Sequence, residues 1–200
     1  AVSVSTDGEN FSWIGSVLAP AEVSGTEAYP FTLRLAGTVS ARYIRYEIGA
    51  PSNTWLFIDE VTAVRYGAGA DGPTSGEVGD YYGDTNIPEI TEPEYWDPSE
   101  SDYAQERNLI AGLPQQIEQL ASFSAEVATT FYNSKEDATM LTDGKFASKA
   151  TYADTAYFRF TNGLGRTIIY DLGKESAVSS FMGSFLFESS SGVNLPRRLV

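Results

Sequence analysis

The chain contains no cysteine and no histidine among its 200 residues. Without cysteine there are no disulfides, thiolate zinc sites or thiol nucleophiles, and the redox compartment leaves no mark on the sequence. Without histidine the usual general base, the Ser/His pair and most transition-metal sites lose their main residue. Enzymatic chemistry would have to rest on carboxylates, Lys or Tyr. Positive charge is scarce as well: 13 basic residues face 27 acidic ones, for a net charge of −14 and a pI near 4.3. Nucleic acid and anionic membrane surfaces reward basic patches, so neither is an expected partner. No run of 18 apolar residues and no charged-then-apolar leader occurs, so neither a membrane span nor a signal peptide is expected. The start at Ala1, without Met, suggests processing or a fragment.

The chain is 42% hydrophobic, enough to bury one or two ordinary cores. Its organising stretch is Trp55–Tyr66, WLFIDEVTAVRY, whose β-branched and aromatic residues predict a strand ended by Gly67. Asp59 and Glu60 sit side by side in this apolar run, and an unpaired buried carboxylate is costly. Either the strand's period of 2 turns one of them to solvent, or a cation compensates them.

Strands are also expected at Ala1–Ser5 and Phe11–Val17, closing a hairpin over Thr6–Asn10, and at Phe31–Leu35 and Ala41–Ile48. Trp13 is expected in the core. Arg42 and Arg45, three apart, fall on opposite faces and form no shared anion clamp. Short strands between turns are the pattern of an antiparallel sandwich or barrel.

Residues 68–107 differ in composition. They carry eleven acids and one base, ten of the fourteen net negative charges, amid Gly, Pro, Ser and Thr, with no hydrophobic period. An extended, solvated acidic linker is expected there, with some of Tyr81, Tyr82, Tyr95, Trp96 and Tyr103 pinned to a neighbouring domain. Beyond it, Asn108–Gly112 reads as a short strand, Gln115–Phe123 as a helix of about two turns, and Tyr157–Phe160, Arg166–Gly173 and Phe181–Phe187 as strands; Glu188–Asn194 supplies a turn. Another strand is expected to begin at Leu195–Val200, with the sequence stopping mid-fold.

VSTDGENF at Val4–Phe11, ARYIRYEI at Ala41–Ile48, WLFIDEV at Trp55–Val61, LTDG at Leu141–Gly144, IIYDLG at Ile168–Gly173 and NLPRRLV at Asn194–Val200 resemble successive landmarks of discoidin domains, also called coagulation-factor type C domains, a family that includes the family 32 carbohydrate-binding modules. The order is reversed: in the family the LTDG half comes first. Residues 1–67 resemble the C-terminal half of such a domain and 108–200 the N-terminal half, with 68–107 between them. Either the chain is a window cut from tandem domains, or two halves complete one antiparallel, jelly-roll-type β-sandwich, within one chain as a circular permutation or between copies. Joined, PRRLV and AVSVSTDG would form one strand, so Val200 is expected beside Ala1 of the same chain or of a neighbouring copy.

The resemblance further implies a structural calcium at the DG loop, held by the carbonyls of Leu141 and Lys145, the carboxylates of Asp143 and Glu60, and Ser148 where Thr is usual. On sequence alone Asp143-Gly144 is also an ordinary turn pair. The implied function is a non-catalytic, extracellular or cell-surface binding module of bacterial origin, for a glycan or cell-surface polysaccharide, with Asn53, Trp55 and Tyr152 as contacts. Where many sugar-binding relatives carry Trp after the DG motif, Ala150 or Thr151 stands here. The alternative is a structural or filament-forming surface protein whose partners are other copies of itself. A glycosidase is not expected, because neighbours on a strand such as Asp59 and Glu60 point to opposite faces and cannot flank one bond.

Overall fold

In the computed structural model, residues 1–49, 54–65, 108–119, 139–160 and 166–199 are described. The fold is all-β, built on one antiparallel sheet of β1 (Val2–Ser5), β2 (Ser12–Gly15), β3 (Val17–Leu18), β4 (Thr26–Gly49), β5 (Leu56–Val64), β6 (Gln116–Gln119), β7 (Phe158–Phe160), β8 (Arg166–Glu188) and β9 (Arg198–Leu199). The expected linker 68–107 lies outside the described residues, as does Val200.

Two long strands carry the architecture. β4 joins what the sequence divides into Phe31–Leu35 and Ala41–Ile48, and β8 likewise joins Arg166–Gly173 to Phe181–Phe187. They pair along their length, with interruptions where residues 35–38 of β4 and 172–175 of β8 bulge out of register. Gly173 has φ 74°, a left-handed conformation that Gly adopts without a Cβ penalty. The bulges divide each strand into two limbs with different neighbours. One limb pair is flanked by β1, β2, β9 and β6, the other by β5 and β7.

The two limb pairs bury apolar faces in one core. Ile44, Tyr46, Ile48, Ile168 and Tyr170 from one meet Phe31, Leu33, Ile58, Val61 and Phe181 from the other. Tyr46 donates from its hydroxyl to the Thr62 carbonyl at 2.8 Å and packs edge-on to Phe181. This arrangement is consistent with a β-sandwich.

The predicted hairpin forms between β1 and β2, and Trp13 is 9% exposed. Asp7 knots the connecting turn: its Oδ1 accepts from the Ser5 hydroxyl and the amides of Glu9 and Asn10. Arg42 pairs with Asp171 at 3.0 Å, while Arg45 lies over the Phe11 ring.

Two local expectations are corrected. Within the expected helix Gln115–Phe123, Gln116–Gln119 is strand β6, paired with β8 at Arg166–Ile169. Good helix formers yield here because the edge of β8 offers backbone partners that two helical turns cannot match. Asn108–Gly112 is not a strand but a bridge residue followed by turns. Asn108 Oδ1 accepts from the amides of Ala63 and Ile110, which curls the chain back at once.

The described residues of 1–65 and those of 108–199 interleave in this one sheet. β9 and β1 share an edge of β4: Leu199 pairs with Ile48, and Ala1 exchanges backbone hydrogen bonds with the next residue, Glu47, at 2.9 Å each way. Leu199 and Ala1 therefore lie opposite adjacent residues of β4.

Candidate functional site

The site is built outward from β5, in which all nine residues are buried. Leu56 and Ile58 face the main core before residue 59, and Val61 and Ala63 face it afterwards. The change of phase is a β-bulge: Ile58 pairs with Phe185 and Glu60 with Ser184, leaving Asp59 as the extra residue. Asp59 is 2% and Glu60 0% exposed. The expectation that one of them turns to solvent is thereby overturned.

The expectation that they point to opposite faces fails for the same reason, because the bulge breaks the period of 2. Both carboxylates reach the loop 143–147, where Asp59 Oδ2 accepts from the Ala147 amide at 2.9 Å and Glu60 from the Gly144 amide at 3.2 Å. Burial pushes the Asp59 carboxyl above its ordinary range, against hydrogen bonds from Ser184 and Ala147.

The five residues implied for calcium meet only in part. Glu60 is brought to the DG turn, and Leu141 lies beside β5, its carbonyl accepting from Val61 N at 2.7 Å. The Asp143 carboxylate is engaged by the Lys145 amide at 2.9 Å and ammonium at 2.7 Å. Ser148 donates to Asp154 at 3.0 Å, and both line one cleft with Asp143 and Lys145. Among the described residues no group of three or more acidic side chains could hold a metal. The hard oxygens of Glu60, Asp143 and the Leu141 and Lys145 carbonyls fit Ca²⁺ in chemistry, and the ion would supply positive charge against the buried Glu60. The Lys145 ammonium occupies that electrostatic role at Asp143.

A second cluster, on the other side of β5, forms the floor of a cleft. Phe57, Tyr157, Leu186 and Val193 are buried together, with Trp55 and Ala150 packed against them. Above them opens a cleft of about 200 Å³ lined by Trp55, Phe57, Tyr152, Arg159, Ser191 and Val193. Trp55 is half-buried and Tyr152 is 50% exposed. Of the predicted glycan contacts, Trp55 and Tyr152 are thus brought to one cleft, and Asn53 lies outside the described residues.

Backbone latches hold these walls. The turn after β8 bonds to both sides of Trp55: its amide donates to the Gly192 carbonyl at 3.1 Å, and its carbonyl accepts from Asn194 N at 3.2 Å. Gly192 has φ 74°, so a side chain there would strain the turn against which Trp55 rests. The Tyr152 amide donates to Glu188 Oε2 at 2.6 Å, and the Tyr152 carbonyl accepts from Arg159 Nη2 at 2.8 Å. Asp154 ties the loop's two ends, accepting from Lys149 N and Ala156 N, and these amides hold its carboxyl below the usual range.

Phe57 and Arg159 escape the sequence reading. Phe57 follows Trp55 by two and so shares its face, a signal that period 2 contains. Arg159 pairs directly with Phe57 across β5 and β7, and its guanidinium lies 5.1 Å from the ring centroid. Nothing in FRF at Phe158–Phe160 announces that partnership. Compared with family models, curated proteins and solved structures, the chain has no match.

Proposed function

We propose that the protein is a non-catalytic, extracellular carbohydrate-binding module of bacterial origin whose ligand lies in the cleft between Trp55 and Tyr152. The observation that carries this reading is the cleft itself: an exposed tyrosine and a half-buried tryptophan stand over an apolar floor, with backbone bonds fixing both. Sugars are bound by aromatic faces that stack on the ring and by a few placed polar groups. A structural Ca²⁺ at the DG turn belongs to the same reading, supported by the buried Glu60 carboxylate against Gly144.

A broad glycan array, followed by titration of any hit, tests the function. The expected result is weak binding without turnover, reduced about tenfold or more in Trp55→Ala, a loss of one aromatic contact. An array without a hit would refute the carbohydrate reading.

A second reading is a structural surface protein whose halves complete one another between copies, exchanging between chains the meeting of β9 and β1 along β4 that is seen here within one. In such an exchange residues 108–199 of one chain would sit on 1–65 of the next.

A further inference from the structure

The Arg159 guanidinium stands in the cleft wall with little to hold it. It has five N–H donors. Its hydrogen-bond acceptor among the described residues is the Tyr152 carbonyl, and its charge rests on the Phe57 ring without an ion-pairing carboxylate among them. Its Nε is buried and has no hydrogen-bond partner among the described residues. Nε itself is closed to a ligand, but Arg159 lines the cleft and its terminal N–H donors outnumber the one carbonyl they meet, which leaves the end of the fork for an incoming acceptor.

We propose that Arg159 makes the cleft selective for acidic sugars, its ligand being a glycan that carries uronic acid residues. The inference rests on the carbohydrate reading and adds the class of sugar. A planar carboxylate matches the fork of a guanidinium and takes two parallel N–H donors, which a hydroxymethyl group cannot do. The aromatic walls then receive the pyranose ring, and Arg159 orients it by the substituent at C5.

The net charge of −14 opposes an anionic ligand at long range, but ten of those charges belong to residues 68–107. At the cleft, the Glu188 carboxylate is bonded to the Tyr152 amide, and the cationic side chain in the wall is Arg159. Contact within the cleft acts well inside the distance over which salt screens the remaining charge.

The test titrates the full chain with oligosaccharides of galacturonate, glucuronate and mannuronate, and with the same oligosaccharides after reduction of each carboxylate to a hydroxymethyl group. At least one acid is expected to bind, and its reduced form about tenfold or more weakly. Arg159→Gln should erase the difference by weakening the acid alone, and Arg159→Lys, which keeps charge without the fork, should fall between. Near-UV circular dichroism establishes that the variants are folded; the comparison of acid with reduced ligand on the unaltered protein stands without them. Equal binding of acid and reduced forms, or a preference that survives in Arg159→Gln, would overturn the proposal. Binding of neutral glycans that is lost in Trp55→Ala, with no preference for acids, would leave the carbohydrate reading intact and refute the role of Arg159. Absence of binding by every acidic and neutral glycan would refute both.

Discussion

At the scale of the residue, Asp59 shows how a costly group is retained. Its buried carboxylate accepts from the Ala147 amide and so fastens β5 to the loop that leads to Tyr152. Asp59→Ala leaves that amide without its acceptor and should destabilise the fold by about 1–3 kcal/mol in a denaturant titration. Asp59→Asn keeps an acceptor oxygen and removes the charge. Because burial raises the native pKa, the native state binds the proton more readily than the unfolded chain. The Asp59 contribution to stability is therefore full below the unfolded pKa and is lost as pH rises through the raised native value. The Asn variant should gain on the wild type as pH rises from about 4, where an ordinary Asp becomes charged, through the raised native value. A constant difference across that range would show that Asp59 does not titrate in it. Trp55 and Tyr152 were legible as candidates because aromatic residues at strand ends and in loops carry a chemical signal. Arg159 was not, because its meaning comes from its cross-strand pairing with Phe57.

At the scale of the element, the strand character of most segments could be read from composition, but their joining could not. β4 and β8 each continue through an irregular middle that contains Gly37 or Gly173, which as sequence signals a break. Long-range pairing between them overrides that local signal. The bulge in β5 was equally hidden, since FIDEV reads as plain alternation until Ser184 and Phe185 fix the register. That bulge sends Asp59 and Glu60 to one loop and makes the DG turn a joint between the two segments. If Ca²⁺ binds at this joint, it tightens a contact that exists only in the folded state. Stability should then rise with calcium, by about 2.7 kcal/mol at a concentration one hundred times Kd, and Glu60→Gln should lose the increment. The measurement is a thermal melt with calcium and with chelator. Coincident midpoints would remove calcium from the account of Glu60, leaving the Gly144 amide as the partner of its carboxylate.

At the scale of the whole molecule, the dominant contact is the pairing of β4 with β8, one strand from each segment. Separated, residues 1–67 would expose the edge of β4 along with Phe31, Leu33, Ile44 and Tyr46, and residues 108–200 would expose β8 with Tyr170, Phe181 and Phe185. An isolated part-sheet with an exposed apolar face and open edges is unstable or aggregates. Each fragment expressed alone should thus lack a cooperative melt and near-UV dichroism, and mixing the two should restore both. The restored complex should bind whatever glycan the intact chain binds, because Trp55 and Phe57 come from one fragment while Tyr152, Arg159 and Val193 come from the other. The association state of the intact chain separates pairing within a chain from pairing between copies. When the halves meet within one chain, the intact protein stays monomeric over a wide concentration range in native mass spectrometry. When they meet between copies, the contact is head-to-tail, and association grows with concentration into rings or filaments. A cooperative transition in either fragment alone would refute the shared core, for it would mean that one segment buries its apolar face without the other.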